Sequence, residues 1–256
     1  MSMNGAIEDE PLRSCLVVQH LEPEAPYAIG DALTFAGVAV DVRRVFAGAP
    51  LPPDLADFAG LVIMGGPMSA QSDDGFPTRR AEIGLLTDAL TRGVPTLGVC
   101  LGAQLLALAA GGMVYPGVAG PQVGWGPVEL TELAAEDPLL AELPRQLTVF
   151  HWHWDTFDLP PDAVYLATSS RYRNQAFRSG PRAWGLQFHL EIDEQAVAAF
   201  LDEFRAEAVE AGTNPESIGK ANPAMLRALA PHGAAVLSRF AELVATHDRE
   251  QLAELP

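Results

Sequence analysis

A cysteine framed by two glycines, at the junction of a short apolar run and a longer one, constrains this chain more than any other feature. Residues 98 to 104 read Gly98-Val99-Cys100-Leu101-Gly102-Ala103-Gln104. Val94 to Val99 has the length and apolar character of a buried strand, and Leu101 to Ala110 those of a helix closed by Gly111-Gly112. Cys100 is therefore predicted at an elbow where the chain reverses sharply. Such a turn needs small residues two positions before and two after the exposed side chain, because a Cβ there would collide with the returning backbone. Gly98 and Gly102 meet that need. The new helix also aims free N–H groups and the positive end of its dipole at the sulfur, which favours thiolate over thiol. Taken alone, the pattern equally fits a structural cysteine beside a packing glycine.

A second group of residues lies well downstream, in Trp184-Gly185-Leu186-Gln187-Phe188-His189-Leu190-Glu191. In an extended chain, residues two apart face the same side, so His189 and Glu191 project together and the carboxylate can hold the imidazole in one tautomer. A cysteine, a histidine and a glutamate are then available for nucleophilic catalysis. The imidazole takes the thiol proton and later returns it to a leaving amine, while the carboxylate fixes the ring. Read alone, His-x-Glu also fits a solvated strand end.

Strand-like and helix-like runs alternate over the first half of the chain, which predicts a mainly parallel sheet covered by helices. Ser14 to Gln19, Val38 to Val45 and Gly60 to Met64 read as strands, and Ala28 to Ala36 and Pro77 to Thr91 as helices. Beyond Gly112 come short strands: Gly126 to Leu130, Leu147 to His151, Val164 to Ser169, Asn174 to Arg178 and Ala183 to His189. They are expected to form a meander closing one side of the site. Glu194 to Ala211 and Pro223 to His247 read as helices separated by Thr213-Asn214-Pro215. Pro50 to Pro53 and Pro160-Pro161 read as turns inside one domain spanning 1–256. Within it, residues 1–12 are expected to be flexible and 194–256 to pack as a C-terminal helical extension.

At 256 residues, one α/β domain can bury a sizeable core. The 33 acidic and 16 basic residues give a formal charge of -17, which disfavours nucleic acid and anionic lipid as partners. The N-terminal residues, with Glu8, Asp9 and Glu10, lack the basic and apolar regions of a signal peptide, and no apolar run reaches the length of a membrane span. A cytoplasmic protein is expected. Cys15 and Cys100 are the only cysteines; Cys15 is expected to be a small buried residue of the first strand, and a disulfide framework is not expected.

Together these segments resemble the class I glutamine amidotransferases, in which a triad-type glutaminase frees ammonia from glutamine. Gly-Val-Cys-Leu-Gly-Ala-Gln matches the family's nucleophile motif and Gln-Phe-His-Leu-Glu its His-x-Glu motif, in the family's order. Leu61-Val62-Ile63-Met64-Gly65-Gly66-Pro67-Met68-Ser69 matches the strand and Gly-Gly-Pro loop that precede the nucleophile; glycine there lets the backbone approach a ligand closely. The resemblance implies a flavodoxin-like α/β fold, a triad of Cys100, His189 and Glu191, and an oxyanion hole from the N–H groups of Gly66 and Leu101. It extends to Gln104, one helical turn after Cys100 and on the same face, as a residue holding the substrate's amino-acid end. Val123-Gly124-Trp125 resembles the family's Ile-Gly-Trp segment and implies a supporting wall. The implied substrate is L-glutamine or another γ-glutamyl compound, and the implied partner is a synthetase subunit that accepts ammonia. No cofactor is implied, because nucleophile and proton shuttle are both side chains. Within the family, the chain is most similar to stand-alone, GMP synthase-like amidotransferases. Synthetase activity from this chain alone is not expected: no Gly-rich phosphate loop followed by Lys-Ser or Lys-Thr occurs, and Lys220 is the only lysine.

The segment Phe150-His151-Trp152-His153-Trp154-Asp155-Thr156-Phe157 supports two rival readings. If extended, it puts His151, His153 and Asp155 on one face and both tryptophans on the other, and His-x-His-x-Asp is a metal-ligand pattern of the metallo-β-lactamase type. That chemistry needs further downstream histidines. Only His189, His232 and His247 remain, the last two in the predicted C-terminal helix, so no metal is expected. The family resemblance instead aligns His153 with a histidine, usually followed by glycine, whose loop backbone holds the α-carboxylate of glutamine. Here Trp154 takes the glycine's place, the N–H groups of Trp154 and Asp155 would serve, and the indole would narrow the pocket. The same machinery accepts other leaving amines, so a γ-glutamyl peptidase or hydrolase is the nearest alternative. A non-catalytic metabolite-binding or regulatory protein on the same fold is the alternative of another class.

Overall fold

The computed structural model describes residues 13–253, so the expectation for residues 1–12 lies outside the described residues. Strands β1 (Ser14–Gln19), β2 (Val40–Arg44), β3 (Phe58–Ile63), β4 (Thr96–Val99) and β11 (Ala183–Leu186) are parallel and lie in the order β2-β1-β3-β4-β11. The sheet continues from β11 as an antiparallel meander of β10 (Ala176–Ser179), β9 (Val164–Thr168), β6 (Gln122–Leu130) and β7 (Gln146–His153), nine strands in all. A separate ribbon pairs β5 (Val114–Pro116) with β8 (Asp155–Phe157).

The parallel half is buried on both faces because helices cover both. Cys15 and Val17 enter one apolar cluster with Ile29 and Leu33 of α1 (Tyr27–Phe35) and Val244 of α6 (Pro215–Ala253). Leu16 and Val18 enter the other, with Leu85 and Leu86 of α2 (Arg79–Arg92) and Leu105 and Leu106 of α3 (Leu101–Ala109). The two-residue alternation along β1 thus assigns the helices to opposite faces. This is the flavodoxin-like α/β arrangement that the alternating pattern and the family motifs predicted.

The departures from expectation lie in the second half. The predicted strand Ala183 to His189 stops pairing at Leu186, and the chain bends before His189 makes an isolated bridge to Phe150. The predicted helix Glu194 to Ala211 breaks at Phe204 into α4 (Glu194–Glu203) and α5 (Arg205–Glu210). The last helix begins at Pro215 rather than Pro223 and runs through both Pro223 and Pro231. Asn214 caps it, its side-chain oxygen accepting the Glu216 N–H at 2.9 Å, and Pro215 suits a first helical position. Each internal proline removes one backbone hydrogen bond. Burial of Leu229, Val236, Leu237, Phe240 and Val244 along the same helix offsets that loss. Among the described residues, no helix is long and apolar enough to cross a membrane.

Glycines set the distance between α3 and the sheet. A Cβ at Gly102 would collide with the Ile63 carbonyl, and one at Gly98 with the backbone of Gly102. Gly102→Ala is therefore expected to destabilise the fold by about 3 kcal/mol or more. Gly84→Ala, on the exposed side of α2 where a Cβ meets nothing within 4 Å, is expected to stabilise it by about 0.5–1 kcal/mol. Urea denaturation of the two variants checks both signs.

Candidate active site

Cys100 occupies the turn between β4 and α3 with φ of 51° and ψ of -104°, a left-handed conformation that costs a non-glycine residue on the order of 1–3 kcal/mol. Hydrogen bonds hold it there. Its N–H donates to Leu186 at 2.8 Å, and its carbonyl accepts from Ala103 and Gln104 at 3.1 and 3.2 Å. The elbow read from the sequence is thus built by β4, α3 and the end of β11 together.

The bend after β11 delivers the other two groups. The His189 N–H donates to the Phe150 carbonyl at 2.9 Å, which ties the loop to β7. His189 Nδ1 lies 2.6 Å from Glu191 Oε1, and Glu191 Oε2 accepts the Leu190 N–H at 2.9 Å. The pair meets because the carboxylate folds back onto its own loop, not because two strand residues share a face. Phe150 and Phe200 stand edge-on to the buried ring.

The Cys100 thiol donates to the Trp152 carbonyl at 3.5 Å and accepts from the Gln187 side-chain amide at 3.6 Å. His189 Nε2 has no fully formed hydrogen bond, yet it faces the sulfur closely enough for each group to shift the other. Burial pushes the Cys100 thiol up, and neither His189 nor the Leu101 N–H cancels that effect. The Leu101 N–H at the start of the helix favours the thiolate, in the direction expected from the sequence, but burial outweighs it. For His189, burial opposes the charged form, but Glu191 and the sulfur raise its pKa well above the ordinary value. The two groups are thus coupled: burial opposes charge on both, and each group's charge favours the other's.

Cys100 opens onto a cavity of about 410 Å³ whose walls include Gly66, Leu101, Gln104, His153, Trp154 and Asp155. His189, Glu191 and the Val123-Gly124-Trp125 segment expected as a supporting wall are not among the residues that line it. Gln104 is buried and donates to Gln187 Oε1 at 3.2 Å, which links it to the amide that touches the sulfur. His153 is neutral: burial lowers its pKa to about 4, and its Nδ1 bonds the Asp155 carbonyl at 2.9 Å.

The expected single face of His151, His153 and Asp155 is not formed. His151 and His153 are near neighbours, with ring centroids 6.1 Å apart. The strand breaks at Trp154, however, and the Asp155 carboxylate turns to Ser69 and Gln71 at 3.3 Å each. Among the described residues, no group of three or more His, Cys, Asp or Glu could hold a metal ion.

Three groups at the site escaped the sequence reading. Gln187 contacts the sulfur. His20 and Glu82 form a buried pair beside the Gly65-Gly66 loop. Glu24 lines the cavity with Oε2 buried and unpartnered. A helix position shared with buried Leu85, Leu86 and Ala89 was the available signal for Glu82, because a carboxylate on a core-facing stripe needs a partner. His20 and Glu24 carry no local signal of that kind.

A family model described as glutamine amidotransferase class-I matches residues 24–204. The chain belongs to the class I glutamine amidotransferases. This amidotransferase is 34% identical over 178 residues to the glutamine amidotransferase-like protein YfeJ of Salmonella typhimurium, covering 68% of this chain and 74% of that one. Over 151 residues it is 38% identical to the glutamine-hydrolyzing GMP synthase of Porphyromonas gingivalis, covering 58% of this chain and 28% of that protein. The crystal structure of a glutamine amidotransferase from Thermotoga maritima aligns with a TM-score of 0.81 at 30% identity, covering 90% of this chain and 98% of that one.

Glu24 marks where this amidotransferase gives up stability. Burial raises its pKa from an ordinary 4.5 to about 7, with Glu191 and Glu207 adding to the rise and His189 opposing it. A carboxyl whose folded pKa is raised destabilises the fold as pH climbs from its unfolded pKa to its folded one, here by about 3 kcal/mol in full. Glu24→Gln is expected to gain stability over the wild type at pH 8 and little at pH 4.5. Denaturation midpoints at the two pH values check this; a gain independent of pH contradicts it.

Proposed function

We propose that this protein is a glutaminase that hydrolyses the side-chain amide of L-glutamine through Cys100, His189 and Glu191, releasing glutamate and ammonia. The reading rests on the buried His189, with Glu191 2.6 Å from Nδ1 and Nε2 left to face the sulfur. Glu191 accepts the Nδ1 proton, which makes Nε2 the base.

Nε2 takes the thiol proton as Sγ attacks the amide carbon. The former carbonyl oxygen gains its negative charge between the N–H groups of Gly66 and Leu101, and one such donor contributes about 3 kcal/mol. The imidazolium gives the proton to the amide nitrogen, the C–N bond breaks, ammonia leaves and a γ-glutamyl thioester remains. Water then attacks that carbon while His189 takes its proton and returns it to the departing sulfur. Glutamate is released and the thiol is restored. Gln104 and the N–H groups of Trp154 and Asp155 hold the amino-acid end of the substrate beside His153.

A synthetase subunit that consumes the ammonia is the partner this reading implies, since the match to a GMP synthase spans only 28% of that protein. A second substrate class is the γ-glutamyl dipeptides, which would enter the same chemistry with Trp152 and Phe204 of the cavity wall as an apolar surface for a leaving amine larger than ammonia.

Purified protein is expected to release ammonia and glutamate from L-glutamine, and Cys100→Ala to abolish the release. Glu191→Gln is expected to lower kcat by about 10²-fold or more with KM nearly unchanged. Dipeptide turnover without glutamine turnover would favour the second substrate class. Turnover that survives Cys100→Ala would contradict both.

A further inference from the structure

A second buried histidine–carboxylate pair lies beside the proposed reaction centre and takes no part in the proton transfers above. His20 follows β1 directly and is 3% exposed; Glu82 on α2 is fully buried. His20 Nε2 is 2.8 Å from Glu82 Oε2, and His20 Nδ1 is 2.8 Å from the Gly65 carbonyl oxygen. Phe76 packs edge-on against the ring. Gly66 fits between His20 and Leu101 so closely that a Cβ there would come within 2.9 Å of each side chain.

The carbonyl can only accept, so Nδ1 must carry a proton, and Glu82 favours a second proton on Nε2. Burial works against that charge, but the bond to Glu82 and its field raise the His20 pKa above the ordinary value. A buried ion pair contributes little to stability once desolvation is counted, which leaves its purpose to be found in what it touches.

It touches one half of the peptide unit whose other half is the Gly66 N–H. The unit is planar, with carbonyl and N–H pointing in opposite directions, so a group that fixes one fixes the other. Two adjacent glycines would otherwise leave this peptide free to rotate. A donor on the carbonyl also polarises the amide and strengthens its N–H as a donor.

We propose that His20, held by Glu82, is a positioning residue that fixes the Gly65–Gly66 peptide with its N–H aimed at the substrate's carbonyl oxygen in the transition state. The proposal rests on the reading of Gly66 as an oxyanion donor. It assigns the His20–Glu82 pair to the rate of the chemical step, not to substrate binding or to the reactivity of the sulfur.

The test begins with the wild-type protein. Failure to turn over both glutamine and γ-glutamyl dipeptides would defeat the hydrolase reading, and the proposal with it. With an active wild type, His20→Asn and Glu82→Gln are compared for kcat, KM and the rate of Cys100 alkylation by iodoacetamide, a displacement that forms no oxyanion. The expected result is a kcat lower by about 10–100-fold, with KM and alkylation rate within about 2-fold of the wild type. An unchanged kcat, or alkylation that falls in step with kcat, would overturn the proposal and leave the hydrolase reading standing. A measurement on the wild type alone guards against variants that fail to fold: nitrogen-15 NMR of labelled histidine is expected to show His20 Nδ1 protonated at neutral pH. An unprotonated Nδ1 would overturn the proposal, because it could not hold a carbonyl.

Discussion

The contact between the start of α3 and the ends of β3 and β4 is made by backbone alone, and the rest of the site depends on it. Gly102 lies against the Ile63 carbonyl and Gly98 against Gly102, with no room for a Cβ at either position. That closeness forces Cys100 into a left-handed conformation and turns its side chain out of the sheet. It also brings the first N–H groups of α3 beside the Gly65-Gly66 loop that follows β3. The strain is sustained because the Cys100 N–H and carbonyl are both committed to neighbours, so relaxing one angle would break several hydrogen bonds.

Around this frame, the chain buries several titratable side chains. His189 with Glu191, His20 with Glu82, and Glu24 all sit at 5% exposure or less. The two glycines of the loop answer different needs. Gly65 lacks a Cβ because the Glu24 carboxylate occupies that space, and Gly66 because His20 and Leu101 close on it from two sides. His151 and His153 stay neutral under burial. The result is a set of buried, fixed dipoles at the wall of the cavity, where a hydrogen bond aimed at developing charge is stronger than it would be in water. The orphaned Glu24 carboxylate is the price of that burial.

How much of this was legible in the sequence depended on whether the constraint was local. The elbow was readable because Gly98 meets the backbone of Gly102 within the same short segment; the Ile63 carbonyl that closes on Gly102 from β3 is a distant constraint that the motif alone does not show. The strands of the parallel half followed from apolar runs, and Ser14–Gln19 was read to the residue. His189 and Glu191 were identified correctly as neighbours but for an incomplete reason: alternation in a strand suggested the contact, whereas the strand ends at Leu186 and a carboxylate folding back onto Leu190 N–H makes it. Asp155 was misplaced because the periodicity gave no sign of the break at Trp154, where one strand hands over to the β5–β8 ribbon. The pair of His20 and Glu82 was not legible, since β1, the loop after β3 and α2 converge there from distant parts of the chain. Pro223 misled in the other direction, since it was read as the start of a helix that has enough buried surface to run through it.

The central claim is that Cys100 becomes acylated by the γ-glutamyl group of the substrate. The most direct test is to mix the protein with L-glutamine, quench in acid within the first turnovers, and map peptides by mass spectrometry. The account predicts one γ-glutamyl adduct on the peptide carrying Cys100 and none on the peptide carrying Cys15, with the adduct removed by hydroxylamine as a thioester should be. Steady glutamine turnover with no adduct on Cys100, even when hydrolysis is slowed by cold, or an adduct on another residue, would contradict it.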